Sequence, residues 1–335
     1  MEKVRFGLIG AGRIGKLHAK NLSSRVGQAE LACVADINME FARKCAKENG
    51  IKDYYGDYRK VLERKDIDAV VVCTSTDTHA RIIEDAALSG KHVFCEKPIA
   101  LELEEIDKAL SVVERTGVKL QIGFNRRFDA NPQKIRRLIE DGSVGKPQLV
   151  RITSRDPAPP SYEYLKVSGG IFLDMMIHDF DMARFLLNDE AEEIYATGGV
   201  LIDPRIGEIG DIDTAVVVLR FRSGAIVTID NSRKSPYGYD QRLEVFGSAS
   251  SAISGNKAPD QVEIGDSRGM HREKPLYFFI ERYEESFVKE LDCFVDSVLN
   301  DREPPVTGRD GKMAFLLGMA ARRSFREKGP VNLNL

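Results

Sequence analysis

The hexad Gly10-Ala11-Gly12-Arg13-Ile14-Gly15 constrains this chain more than any other stretch. It follows an apolar run over residues 4–9 and opens a segment of helical periodicity over 14–23. A G-x-G-x-x-G hexad between a strand and a helix is a phosphate-cradling turn. Gly10 allows the tight turn, Gly12 lets the backbone approach a pyrophosphate, and Gly15 lets helix and strand pack closely. Arg13 and Ile14 open the helix, whose first N–H groups face the anion. An ordinary glycine-rich turn is the plainer reading, and the segments that follow argue against it.

Those segments alternate. β-rich runs occupy 30–35, 69–73, 92–95 and 119–123, and helical patterns occupy 39–48, 78–89 and 103–115. Unbroken apolar strands joined by helices predict a parallel, doubly wound sheet covered on both faces. Asp36 ends the second strand, 21 residues after Gly15. A carboxylate there accepts hydrogen bonds from an adenosine ribose and repels a 2′-phosphate, which points to NAD rather than NADP. Capping of the following helix is the plainer role for Asp36. Ser75 and His79 follow the next strand of the ligand-binding edge, within reach of a cofactor. Glu96-Lys97-Pro98 follows another, where Lys97 can donate to a substrate oxygen and Glu96 can hold the ammonium or meet the cofactor.

The rhythm changes after Gly123. A helix over 132–140, a strand over 148–153, a Pro-rich loop and a helix over 170–187 lead into β runs over 193–198, 214–221, 225–229 and 242–246. Two helices, 281–300 and 309–327, close the chain. Strands joined by short turns predict a mostly antiparallel sheet in an α+β domain. The expected division is 1–123 and 124–335, with chemistry in the crevice between them and the last helix packed back on the first domain. Within 170–187, Asp174 and His178 are four residues apart on one helix face, with Asp181 close to it. An Asp beside a His orients the ring and raises its proton affinity. A proton-transfer centre and a buried, satisfied histidine both remain open on this helix alone.

Composition excludes other classes. Forty-nine Lys and Arg against 52 Asp and Glu leave a net charge of -3, without the concentrated basic face that nucleic-acid binding needs. No apolar run approaches the length of a membrane span, and the N-terminus lacks the pattern of a secretory signal. Five cysteines, an odd number with no C-x-x-C, predict a reducing, cytoplasmic setting rather than disulfides or a metal site.

Taken together these motifs resemble the Gfo/Idh/MocA oxidoreductase family over essentially the whole chain. The marks are the Gly10–Gly15 loop with His18 behind it, Glu96-Lys97-Pro98, and Asp174…His178…Asp181. Three more are similar to the bacterial inositol dehydrogenases of that family: Gly123-Phe124-Asn125-Arg126-Arg127-Phe128-Asp129, Ser154-Arg155-Asp156-Pro157 and Tyr237-Gly238-Tyr239-Asp240-Gln241-Arg242. The resemblance implies NAD-dependent oxidation of the axial hydroxyl of myo-inositol to the 2-ketone, with Lys97, Asp174 and His178 as the catalytic group. It places Arg127, Asp156, Tyr237 and Tyr239 along the polyol; no metal is expected, since no second histidine lies near His178 and hydride chemistry on an alcohol can run without one. It also implies a homotetramer assembled through an open C-terminal sheet. Oxidation of scyllo-inositol, D-chiro-inositol or glucose, and a non-catalytic NAD-dependent sugar sensor, are the competing expectations.

Overall fold

Strands without polar alternation must be buried on both faces, and the first part of the chain meets that demand with a layered α/β unit. The computed structural model describes residues 2–334. Strands β1 (Val4–Ile9), β2 (Ala29–Ala35), β3 (Asp53–Tyr55), β4 (Ala69–Val72), β5 (His92–Cys95) and β6 (Leu120–Ile122) form a wholly parallel sheet in the order β3-β2-β1-β4-β5-β6. This is the expected doubly wound sheet. Strand β3 has no counterpart in the sequence reading. It is a three-residue, largely exposed edge strand, Asp-Tyr-Tyr, with no aliphatic run to announce it.

Helices Arg13–Ser24, Met39–Glu48, Thr76–Leu88 and Leu103–Thr116 connect these strands. Asn38 starts the second of them by accepting the Glu40 N–H at 3.1 Å. A further helix, Glu284–Leu299, comes from far along the chain. Its Leu291, Phe294 and Val295 sit in the core that holds Phe6 and Phe94. The Phe294 ring stands 6.1 Å from Phe6 and 5.9 Å from Phe94. The first compact unit therefore runs to Asn125 and also takes in Glu285–Met313.

The second unit comprises Arg126–Glu284 and the chain from Ala314. Its strands are β7 (Pro147–Arg155), β8 (Ala191–Gly199), β9 (Thr214–Phe221), β10 (Ile226–Ser232), β11 (Asp240–Gly247) and β12 (Ser251–Ser254), with a separate hairpin of β13 (Glu263–Asp266) and β14 (Gly269–Arg272). With β15 (Val331–Asn332) they form a seven-stranded sheet, β12-β11-β7-β10-β9-β8-β15. Only the β7–β10 pair is parallel, so the sheet is mixed and mostly antiparallel, as expected. Inward residues alternate with outward ones along β9. The inward set, with Val217, Leu219 and Val227, packs with Phe180 and Leu186 of helix Ile177–Leu187 and with Leu317 and Ala321 of helix Gly308–Glu327. The outward set includes Tyr195, Val216, Val218, Ile226 and Phe246, all more than a third exposed. Among the described residues no helix is long and apolar enough to cross a membrane.

Truncating Phe294 to Ala should cost about 3–5 kcal/mol, the usual price of emptying an aromatic core site. Urea unfolding followed by circular dichroism measures it. A loss below about 1 kcal/mol would mean that the site collapses around the missing ring.

Candidate active site

In the first unit, the carboxyl ends of the parallel strands carry the expected cofactor residues. Gly10 leaves β1 with φ +96° and donates its N–H to the Ala35 carbonyl at 2.8 Å. A Cβ on Gly10 would lie 2.6 Å from the Cys73 carbonyl, and one on Gly15 would lie 1.9 Å from the Gly10 oxygen. No larger residue fits either position. Gly12 is the N-cap of helix Arg13–Ser24, no side chain of the described residues caps that end, and the space in front of Gly12 is open. Such a helix start is suited to an anion. Exposed Arg13 and half-buried Ile14 form its first turn.

Asp36 is bound into this loop. Its Oδ2 accepts the Ala11 N–H at 2.7 Å and its Oδ1 accepts the Asn38 N–H at 2.8 Å. Asp36 thus ties the second strand end to the glycine turn, while Asn38 does the helix capping. Ser75 is exposed at the N-cap of helix Thr76–Leu88, consistent with a ligand-facing position. His79 differs from expectation. It is buried, with Nδ1 2.8 Å from the Pro98 carbonyl and Nε2 3.1 Å from the Thr74 carbonyl. Both nitrogens face main-chain carbonyls, so the ring sits between two strand-end loops, and in its neutral form it donates to one of them. Burial pulls its pKa down despite those carbonyls, which favours the neutral ring. Glu96 accepts from His18 Nε2 at 2.7 Å, and half-buried Lys97 precedes Pro98 across a cis peptide bond.

The second unit departs more from the sequence reading. The expected single helix over 170–187 is built in two parts. Ile171–Met175 is a π-helical turn, in which the Met176 N–H donates to the Ile171 carbonyl at 2.9 Å, and the α-helix Ile177–Leu187 follows. Spacing in the sequence does not reveal the extra residue of a π turn, a feature common at functional sites. Asp174 lies within it and is buried. Asp174 Oδ1 accepts the Tyr164 hydroxyl at 2.7 Å and Oδ2 faces Arg233 Nη1 at 3.4 Å. Arg233 is fully buried and also stands 3.6 Å from Asp211. Burial, then the charge of Asp174, pushes the Tyr164 phenol well above the usual tyrosine range, so at neutral pH it is a donor. His178 is half-buried in the first turn of the α-helix.

Arg127, expected along the polyol, is clamped to a carboxylate of its own unit. Its Nε and Nη2 donate to the two oxygens of Asp181 at 2.8 and 2.6 Å, and the guanidinium lies over Phe185. The neighbouring Arg126, which the sequence reading did not single out, is the hub of a buried network. It donates from Nη1 to Asp179 Oδ1 at 2.7 Å and to Ser154 at 2.9 Å, and from Nη2 to the Tyr239 hydroxyl at 3.3 Å. Asn231 Nδ2 donates to the other Asp179 oxygen at 2.8 Å. Two adjacent arginines against two aspartates spaced by one residue are the sequence signal for this double clamp. Asp156 follows β7 and donates its N–H to the Ser232 carbonyl at 2.9 Å. Burial chiefly, with the Asp156 charge contributing, raises the phenols of Tyr164 and Tyr239. Tyr239 is buried, whereas Tyr237 is partly exposed, donates to Asp240 at 2.7 Å and accepts from Arg155 at 3.3 Å. The structure therefore groups Tyr164 and Arg233 around the Asp174 carboxylate, pairs Arg127 with Asp181, and sets the Tyr237 hydroxyl between Asp240 and Arg155.

Comparison with known proteins agrees with these features. Residues 4–124 match the model of the oxidoreductase family with an NAD-binding Rossmann fold, and 133–253 match the GFO/IDH/MocA C-terminal domain. The chain is 48% identical to the myo-inositol 2-dehydrogenase of Thermotoga maritima, over 98% of each chain. It is 40% identical to the NAD-dependent scyllo-inositol 2-dehydrogenase of Bacillus subtilis, over 100% of this chain and 97% of the relative. The solved myo-inositol dehydrogenase of Lactobacillus casei, in complex with NAD(H) and myo-inositol, superposes with a TM-score of 0.90 at 25% identity, covering 99% of this chain and 97% of the other. With a doubly wound sheet whose glycine turn leaves an uncapped helix start, a mixed second sheet and full-length relatives of this kind, the chain belongs to the Gfo/Idh/MocA oxidoreductase family.

Proposed function

We infer that this protein is an NAD-dependent inositol 2-dehydrogenase, oxidising the axial hydroxyl of myo-inositol to 2-keto-myo-inositol. The observation that carries the reading is the 48% identity, over 98% of both chains, to a myo-inositol 2-dehydrogenase. The uncapped helix start, the open space before Gly12 and the carboxylate of Asp36 fit a dinucleotide with an unphosphorylated ribose. Gly10, Gly12, Arg13, Ile14, Gly15, Asp36 and Ser75 are proposed to hold it, with His79 supporting their loops from behind. Bound NAD supplies the hydride acceptor.

The residues do the acid–base work. Oxidation breaks the carbinol C–H bond, its electron pair leaving with the hydrogen, while the O–H bond electrons become the second bond of the ketone. The hydroxyl proton must be taken as this happens. His178 is proposed as the acceptor. Lys97 is proposed to stabilise the developing alkoxide. Asp174, positioned by Tyr164 and Arg233, is proposed to orient His178 and to accept from a neighbouring ring hydroxyl. Asp156 and Tyr239 are proposed to bind further hydroxyls. Arg127 and Tyr237 support that surface through Asp181 and Asp240.

We further propose a cytoplasmic homotetramer assembled through the outer face of the second sheet. The support is the row of exposed apolar side chains on that face. Cysteines 33, 45, 73, 95 and 293 are all free, as a reducing compartment favours. Burial pushes the thiols of Cys33 and Cys45 up to about 11, which keeps them inert. Light scattering of the wild type should give four chains, and Val218→Lys, placing a charge on that face, should give fewer. A monomeric wild type would refute the assembly.

The central test is NADH formation with myo-, scyllo- and D-chiro-inositol and glucose side by side, repeated with NADP. Myo-inositol with NAD should give the highest kcat/KM. A clear preference for another polyol moves the assignment to that substrate, and NADH formation with none of them favours a sensor.

Lys97→Ala and His178→Ala should each lower kcat by roughly 10²–10⁴, the worth of a positioned acid–base group. NADH affinity, read by fluorescence titration, should change little in His178→Ala. The double variant should lose much less than the product of the two losses, since groups serving one step are non-additive. Near-wild-type turnover in either single variant would remove that residue from the mechanism.

A further inference from the structure

Three chemistry-bearing side chains meet inside the first unit without any role in the scheme above. His18 is fully buried on helix Arg13–Ser24, its ring edge-on to Phe94 and Phe287 at 5.2 and 5.8 Å. Its Nε2 pairs with Glu96 Oε1 at 2.7 Å. The third is Glu290, on helix Glu284–Leu299. It is fully buried, and neither carboxyl oxygen has a hydrogen-bond partner among the described residues. A ring nitrogen of His18 and a carboxyl oxygen of each glutamate all lie within 4.8 Å of one another. Gly123 packs directly behind Glu96, since a Cβ there would come within 3.0 Å of Glu96 Oε2.

An ionised carboxylate buried with both oxygens unbonded is among the costliest arrangements a fold can hold. A carboxylic acid costs far less, and its O–H can donate to a carboxylate, which can only accept. The Glu96 carboxylate is close enough for that proton to reach it by side-chain adjustment or through one water. We propose that His18, Glu96 and Glu290 form one buried proton-sharing unit, with Glu290 as the acid, that holds the Glu96 carboxylate and thereby the strand end carrying Lys97. The surroundings agree. Facing Glu290 are His18, Glu96, the Cys73 thiol and the side chain of Gln121, whose Nε2 donates to the Glu290 main-chain oxygen at 2.8 Å. Burial first, and the Glu96 charge second, push the Glu290 carboxyl well above the ordinary glutamate range.

Glu290 is a positioning residue, and its link to Lys97 rests on the dehydrogenase reading. Two measurements need no substrate. A carboxyl whose pKa rises on folding contributes stability below its unfolded pKa, and that contribution is lost as pH climbs toward the folded value. Glu290→Gln is neutral at every pH. Its melting temperature should therefore gain on wild type by several degrees between pH 5 and pH 8. Infrared spectra of wild type at pH 7 should show a protonated-carboxyl stretch that Glu290→Gln lacks. The activity arm compares Leu, with no donor, and Gln, whose amide N–H can donate. Glu290→Leu should lower kcat roughly ten-fold at unchanged NADH affinity, the worth of one hydrogen bond to a charged group, and Glu290→Gln should recover it.

A melting difference independent of pH would overturn the protonated acid. Equal kcat in the Leu and Gln variants would overturn the positioning role. Stabilisation of wild type, and not of Glu290→Gln, by added Zn2+ would make the cluster a metal centre instead. If wild type oxidises no polyol, the dehydrogenase reading fails, while the melting and infrared results still decide the proton. Should Glu290→Leu not fold, Glu290→Gln still decides the proton, and Glu290→Met, which also lacks a donor, takes the place of Leu in the activity comparison.

Discussion

Parallel pairing forces every strand of a sheet to end on the same edge, and the chemistry of the first unit depends on that constraint. Strands β1, β2, β4 and β5 are adjacent in register, so the residues just beyond them, Gly10, Asp36, Cys73 and Glu96, arrive side by side although they are spread over 86 positions of sequence. Contacts along that edge then weld the loops together. Asp36 takes the Ala11 N–H, Gly10 lies against the Cys73 main chain, and His79 spans the loops after β4 and β5. A ligand meeting this edge finds loops that are already ordered, which reduces the entropy cost of binding.

The second unit reaches similar order by other means. Its sheet is mostly antiparallel and has no common strand edge to exploit. Buried charge does the positioning instead. Arg126 with Asp179 and Arg127 with Asp181 anchor the helix Ile177–Leu187 to the segment that begins the unit, and Arg233 lies between Asp174 and Asp211. Ion pairs of this kind add little net stability, because desolvation offsets most of the attraction. They are intolerant of wrong geometry, and that intolerance fixes where Asp174 and His178 stand.

Much of this was legible in the residues. The doubly wound sheet followed from unbroken apolar runs and the glycine hexad, and the second sheet from alternation and turns. Strand β3 and the edge strands β12 and β15 escaped because short edge strands carry little apolar signal. At the site, Asp174 and His178 stood out as polar groups in an apolar helix. What stayed hidden was partnership. Nothing in a linear string says that Arg127 faces Asp181, that both nitrogens of His79 face carbonyls, or that Tyr164 reaches Asp174. Long-range pairing of polar side chains is a product of tertiary packing, which local periodicity does not encode.

The π turn over Ile171–Met175 constrains the length of the chain. Such a turn takes up one extra residue locally, within the bulge, instead of along the helix beyond. With Asp174 in the bulge, the extra residue is hard to remove. Deleting a single residue there would restore an ordinary α-helix but turn the upstream segment by about 100° against Ile177–Leu187. It would disturb the contacts that Asp174 makes with Tyr164 and Arg233. The bulge is therefore a point at which the length of this chain is fixed by a side chain's partners and not by the helix itself.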